Sequence, residues 1–247
     1  MNATIVGLGI VVAAASLLLA FAAIHRTRPP TFRNIASFAN LRRSIGLAVE
    51  DGTRLHFSLG RGGVTTPFSA AGFAGLSMLR RVAELTSVSD RPPVVTSGDG
   101  ALAALSQDTL KSSYEAAVAA ERYDAQTGRL TGLTPFSYAA GALMVMRDEN
   151  ISTNVMAGSF GIEVALMIDA AERTNTFSMV ASDNLPAQSV LYASTPNPLI
   201  GEELYAAGAY VQAGPLHAAS LAAQDVLRWG IIIAIIAGAV LKLAGVL

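Results

Sequence analysis

The sequence predicts an α/β fold: a mainly parallel, doubly wound sheet flanked by two transmembrane helices. Three observations predict it. Long uncharged apolar runs stand at both ends of the 247-residue chain, strand-like and helical segments alternate between them, and the turns from strand to helix are rich in glycine and small polar residues. Hydrophobic residues make up 52% of the chain and charged residues 14%, against roughly 25% charge in an ordinary soluble domain. Such a composition excludes extended disorder, which needs low hydrophobicity and high net charge. A formal charge of -1 gives no footprint for nucleic acid. The chain has no cysteine, so disulfides, thiol catalysis and cysteine-ligated zinc are excluded.

The first element, residues 1–24, is read as a transmembrane helix. No charge occurs from Ile5 to Ile24, a run that spans about 30 Å at 1.5 Å per residue, the thickness of a bilayer core. Ala20-Phe21-Ala22 offers a small-x-small cleavage site, but Met1-Asn2-Ala3-Thr4 lacks the basic start of a signal peptide, so a retained anchor is expected. The second span, residues 229–247, runs apolar from Gly230 to Leu241, with Lys242 placed to snorkel and Arg228-Trp229 as an interfacial pair. A buried core helix is the other reading of that run, and it is too uniformly apolar for one. Arg26, Arg28, Arg33, Arg42 and Arg43 all precede the first acid, Glu50. By the positive-inside rule the region between the spans is then cytoplasmic, in an integral two-pass protein of the cell inner membrane. The juxtamembrane position of these arginines points to topology and anionic-lipid contact, with no nucleic-acid role.

Residues 25–50 read as a juxtamembrane linker with a short amphipathic piece at 38–47, and residues 51–228 as the α/β domain. The strand 54–59 has mixed faces, and Thr66-Pro67 starts a helix over 68–86 with Phe73, Leu76, Leu79 and Val82 on one stripe. Asp90-Arg91-Pro92-Pro93 is a break before the strand 94–97. Helix follows from Gly100, and Asp108 is read as a cap for 109–120. Residues 123–134 read as a loop or hairpin, followed by a helix 135–146, a strand 152–157 and a helix 162–173. The strand 177–181, a Ser182-Asp183 cap, and helices 185–192 and 199–211 follow. Pro215 starts a helix that can run unbroken into the second span and so couple domain and membrane rigidly. Strands this far apart need crossover connections, hence parallel pairing and a Rossmann-like arrangement.

Outside the spans, residues 25–228 hold 34 of the 35 charges, still only about 17%. That deficit predicts covered faces, by docking on the bilayer or by self-association into a homo-oligomer. Basic residues are fifteen Arg against two Lys, which reflects codon bias.

Ligands of open parallel sheets bind beyond the carboxyl ends of the strands. Those ends here are Gly60-Arg61-Gly62-Gly63, Ser97-Gly98-Asp99-Gly100, Gly158-Ser159-Phe160-Gly161 and Ser182-Asp183-Asn184. Glycine amides near helix starts, with Arg61 adding charge, would hold a small anion or a nucleotide. The plainer reading is that glycine lets the turns form. No P-loop pattern occurs, and Thr65 stands where a dinucleotide fingerprint has its third glycine. Asp99 and Asp183 at one sheet edge could share Mg²⁺ or act as acid and base, but aspartates before helices are more often caps. Glu163 and Asp169 fall on different helix faces. His25, His56 and His217 have no metal-ligand spacing, and no metal site is expected. No nucleophile elbow occurs, and Tyr138 lacks the lysine four residues on, Ala142 standing there. No catalytic residue and no cofactor is assigned.

Glu84-Leu85-Thr86-Ser87-Val88-Ser89-Asp90-Arg91-Pro92-Pro93, Leu133-Thr134-Pro135-Phe136-Ser137-Tyr138-Ala139-Ala140-Gly141 and Leu199-Ile200-Gly201-Glu202-Glu203-Leu204 carry a resemblance. Through them the chain resembles an uncharacterised bacterial membrane-protein family that shares a domain of unknown function. The resemblance covers most of residues 45–245. It implies a bacterial setting and no mechanism. Three functions are therefore expected in turn: a membrane-anchored assembly or scaffold protein with a self-associating domain, a tethered sensor of a small anion in the glycine-rich loops, and an enzyme on a phosphorylated or lipid-linked substrate. Gly7, Gly9, Ala13 to Ser16 and Ala20 permit close helix packing in the first span.

Overall fold

The computed structural model describes residues 3–27, 30–66, 69–196 and 198–245. The expected contributions of Met1, Asn2, Arg28, Pro67 and Phe68 lie outside the described residues. The chain divides into two compact units, Met1–Phe32 with Gly214–Leu247, and Arg33–Ala213.

The first unit is built on α1 (Ala3–Thr27) and α9 (Pro215–Leu243), which pack on one another. Both are long and apolar enough to cross a membrane, and their most apolar stretches are not buried. Leu8 and Ile235 are 65% and 66% exposed, which water would penalise and lipid would not. Helix α9 is unbroken from Pro215 onward, as its uninterrupted helix-forming sequence predicts.

The second unit is a six-stranded sheet, every neighbouring pair parallel, in the order β3-β2-β1-β4-β5-β6. The strands are β1 (Arg54–Gly60), β2 (Val94–Ser97), β3 (Gly128–Leu130), β4 (Ile151–Ser159), β5 (Phe177–Ser182) and β6 (Leu199–Ile200). Between them run α3 (Ser69–Thr86), α4 (Gly100–Ala116), α5 (Pro135–Asp148), α6 (Val164–Arg173) and α7 (Leu185–Ser194); α2 (Ala36–Glu50) precedes the sheet and α8 (Glu203–Tyr210) follows it. Alternation along the strands sends successive side chains to opposite cores. Val155, Ala157, Met179 and Ala181 join α2, α3, α4 and α8 in one apolar cluster, while Met156 and Val180 join α5, α6 and α7 in the other. With both faces covered, β4 is buried nearly throughout, as parallel strands generally are.

Several expectations are corrected. Residues 36–50 are a full helix and not linker, because Phe38, Leu41, Ile45 and Ala48 recur at helical spacing and reach the core. Phe38 stacks on Tyr210 with ring centroids 4.8 Å apart. Phe73 is 46% exposed, since α3 turns its glycine edge, Gly72 and Gly75, to its neighbours. Asp108 caps nothing: it lies exposed inside α4, whose cap is Asp99. The loop or hairpin at 123–134 contains the parallel strand β3, and 199–211 splits into β6 and α8 at Gly201, which sits at φ +62. Asp183 is not the cap of α7; that position is Asn184, whose side chain makes no capping bond.

Glycine is a packing requirement at the sheet centre. A Cβ on Gly75 would stand 2.3 Å from the Ala157 carbonyl oxygen, a backbone atom that cannot step aside. Gly75→Ala therefore destabilises the domain by about 1–3 kcal/mol through overpacking. Gly46, on α2 with nothing within 4 Å of its would-be Cβ, gives the opposite sign on substitution by alanine, a gain of roughly 0.5–1 kcal/mol from helix propensity. Thermal unfolding of the two variants measures both, and equal shifts would contradict the packing argument.

Candidate functional site

The carboxyl ends of β1 and β4 lie side by side, Gly60 opposite Ser159. Gly60 adopts φ +70, and a Cβ there would stand 2.2 Å from the Ser159 carbonyl oxygen; one on Gly158 would stand 2.0 Å from that of Leu59. The strands are then stitched past their ends: Arg61 N–H donates to the Ser159 carbonyl and Gly98 N–H to the Gly60 carbonyl, each at 2.9 Å. Gly60, Arg61, Gly98, Gly158 and Ser159 are thus brought together. Gly63 stands near Asp99, its would-be Cβ 3.4 Å from Oδ2, and Gly62 lines the adjoining cleft. Ser97 is buried, its hydroxyl donating to the Asp99 carbonyl.

Amides that a bound anion would need are largely committed inside the protein. Besides those of Arg61 and Gly98, Phe160 N–H donates to Ser182 Oγ at 3.2 Å and Gly161 N–H to Glu163 Oε1 at 2.9 Å. Asp99 Oδ1 accepts from Leu102 N–H at 2.9 Å, capping α4. Asp183 stands beyond β5, three strand spacings or roughly 14 Å from the β2 end that carries Asp99. The two aspartates therefore share no ion. Burial raises the pKa of Asp183, with the Ser159 hydroxyl beside it acting against that shift, and its Oδ1 has no hydrogen-bond partner. Among the described residues no cluster of metal-ligating side chains occurs.

A cleft of about 440 Å³ opens at this point, with Arg61, Ser159, Glu163 and Asn184 as its polar lining and Phe136 and Ile162 as apolar lining. Glu163 was not singled out as a site residue by sequence, although an acid inside the apolar run 162–170 was the available signal. Its side chain is 3% exposed, held in the β4–α6 turn by the Gly161 amide. Arg61 Nε stands 3.8 Å from Glu163 Oε1, too far for a hydrogen bond, while Nη1 donates to the Leu133 carbonyl at 3.3 Å. The aliphatic stem of Arg61 lies over Gly98, where a Cβ would come within 2.4 Å of Cγ. The charge of Arg61 is therefore matched inside the protein and the cleft carries no excess of positive charge.

Behind the cleft runs a buried polar chain. On β1, Leu55, Phe57 and Leu59 face one core while His56 and Ser58 face α5. His56 pairs in register with Asn154 on β4, and Ser58 with Thr96 on β2. Asn154 Nδ2 donates to Met146 Sδ at 3.7 Å, which leaves its oxygen for His56 Nδ1 at 2.8 Å. Nδ1 thus carries the proton, and Nε2 accepts from Thr96 Oγ1 at 2.8 Å. Tyr138, fully buried on α5, has its hydroxyl 2.5 Å from Ser58 Oγ and accepts from the Gly60 amide at 3.2 Å. This chain therefore ends on the very residue whose conformation shapes the cleft. The sequence signal was the polar alternation of β1 with matching Thr96 and Asn154, and it becomes meaningful only once the register is known.

Burial is the largest influence on His56 and lowers its pKa to about 4, with the Asn154 bond opposing. An imidazole kept neutral in the fold takes up its proton more readily when unfolded. Its stabilisation is complete above the unfolded value of 6.5 and is lost as pH falls towards 4, amounting to roughly 3 kcal/mol over that window. Denaturant unfolding from pH 7.5 to 4 should show this slope, and His56→Gln should flatten it; an unchanged slope in the variant would refute the assignment. Tyr138→Phe leaves the Gly60 amide and Ser58 without their partner and costs about 1–3 kcal/mol at all pH values, read from the same unfolding curves.

Comparison with known proteins adds a family and no function. No curated protein and no solved structure matches the chain. The family model described as Domain of unknown function (DUF6754) matches residues 1–247. The chain belongs to the family defined by that domain of unknown function.

Proposed function

We propose that this chain is a two-pass membrane protein whose α/β domain binds a small molecule in the cleft beside Arg61 and Glu163. The observation that carries this reading is the position of the cleft. Strand order runs outward from β1 to β3 on one side and from β4 to β6 on the other, so β1 and β4 form the switch point where open α/β sheets hold their ligands. Helices α3 and α4 cover one face and α5, α6 and α7 the other, which supports a doubly wound, Rossmann-like description. Thr65 in place of the third glycine, and the residues Arg61 to Thr66 that follow β1 outside any helix, depart from the dinucleotide fingerprint. A dinucleotide is therefore not the favoured ligand.

Self-association is the second reading. Phe136 and Leu185, in the first turns of α5 and α7, and Ile162, in the turn before α6, are 61%, 75% and 59% exposed at this sheet edge, the kind of surface that marks contact sites. For topology, the arginines before Glu50 favour a cytoplasmic domain in a bacterial inner membrane.

Thermal-shift screening of the full chain in nanodiscs tests the primary reading. Ligands that raise the transition should lose at least tenfold in affinity in Arg61→Ala and Ser159→Ala; shifts that persist in both would move the site elsewhere. A reporter fused within the 117–119 turn should be active on the cytoplasmic side only, and cleavage of the domain by protease added outside intact cells would reverse the topology. Mass measurement in the same nanodiscs decides self-association, a strict monomer at high concentration removing it.

A further inference from the structure

We infer that the ligand of this cleft is an uncharged amphiphile, a hydroxyl group on an apolar body. The inference rests on the proposed binding reading and names its ligand class. Three observations converge on it. Arg61 and Glu163 face the cleft as a matched pair, so a net charge on the ligand would be left without a counter-charge there. Arg61 Nε is buried and has no hydrogen-bond acceptor, and Glu163 Oε1 stands 3.8 Å from it. A hydroxyl group is both acceptor and donor: its oxygen can take an N–H of the Arg61 guanidinium, whose side chain is 30% exposed, and it brings no net charge to the pair. An anion would serve Arg61 and repel Glu163, and an ammonium group the reverse. Beside the polar lining of Arg61, Ser159, Glu163 and Asn184 stand apolar side chains. Phe136 and Ile162 line the cleft and remain more than half exposed, and Leu133, before α5, and Leu185, at the start of α7, are 69% and 75% exposed. An apolar body attached to the hydroxyl continues from the cleft onto these side chains and removes them from water.

The test uses the full chain in nanodiscs of zwitterionic lipid, with amide hydrogen exchange of residues 158–163 as readout. Monooctanoylglycerol is the neutral probe, its phosphorylated counterpart the anionic one, and inorganic phosphate the anion without an apolar body. The expected result is at least threefold slower exchange with monooctanoylglycerol at saturation and no protection by phosphate. Ile162→Asp and Phe136→Asp, both at exposed positions, should weaken the neutral probe tenfold or more while leaving the unfolding transition in place. Protection by the phosphorylated probe or by phosphate in preference would overturn the ligand class and keep the cleft as a binding site. Protection by no probe, with Ile162→Asp instead lowering the oligomeric mass, would overturn both readings and assign the apolar rim to a second copy of the chain. Protection by monooctanoylglycerol that both aspartate variants retain would also overturn the inference, placing the probe elsewhere.

Discussion

The close approach of β1 and β4 is the constraint on which the rest of the domain depends. Three backbones meet there without room for a methyl group: Gly158 against Leu59, Gly60 against Ser159, and Gly75 of α3 against Ala157. Because interiors are packed like crystals and do not yield, these glycines set the distance between the two central strands and the depth at which α3 sits. The cleft inherits its shape from that spacing. Arg61 leaves β1 directly after Gly60, its amide tied to Ser159, and its stem is laid across Gly98 just past the end of β2. Moving β1 and β4 apart would separate Arg61 from Glu163.

The polar chain below α5 serves the same seam from the other side. A sheet face packed under a helix is ordinarily aliphatic, yet here it carries His56, Ser58, Thr96 and Asn154, all buried. Such groups cost free energy when unpaired and hold a unique arrangement when every member is satisfied. The hydrogen bonds run across β4, β1 and β2 and end on Tyr138, so α5 is fixed in rotation as well as in depth. Pro135 and Phe136 at the start of α5 are cleft residues. Their position is thus tied to the sheet by polar contacts that a purely apolar interface, tolerant of sliding, would not supply.

Legibility of the fold in the sequence followed the length of each signal. The apolar runs, the strands at 54, 94 and 177, and the helices at 135 and 185 were readable from composition, periodicity and proline or cap positions. The short edge strands β3 and β6 were not, because Gly128–Leu130 and Leu199–Ile200 owe their strand conformation to pairing with β2 and β5 and have no period of their own. Asp108 failed as a cap for a related reason: a capping residue also fits an exposed helix face, and only the cap at Asp99 shows which applies. At the site, the glycine-rich loops were found where the strand ends place them. Their amides, however, turned inward, and the acid that neutralises Arg61 was legible only as an oddity in an apolar run. Charge compensation is a three-dimensional fact, and sequence spacing does not encode it for residues a hundred positions apart.

The shortage of charge in the central region, about 17% of residues 25–228, has two physical sources in the fold. One is the all-parallel sheet, which buries both faces of each central strand and so requires long aliphatic stretches such as β4. That part of the deficit needs no partner at all. The other is surface: Leu133, Phe136, Ile162 and Leu185 stand in water around the cleft, clustered at one edge, while Asp169 and Arg173 pair on the outer face of α6 as an ordinary soluble surface would. Exposed apolar side chains scattered singly carry no meaning, but several at one sheet edge beside a neutral ion pair define a place where water is poorly accommodated and an apolar group is not. The low charge of the sequence therefore resolves into a buried share explained by topology and an exposed share spread over the domain, from Val88 and Val118 to Tyr192, of which the group at the cleft is the part that adjoins a cavity.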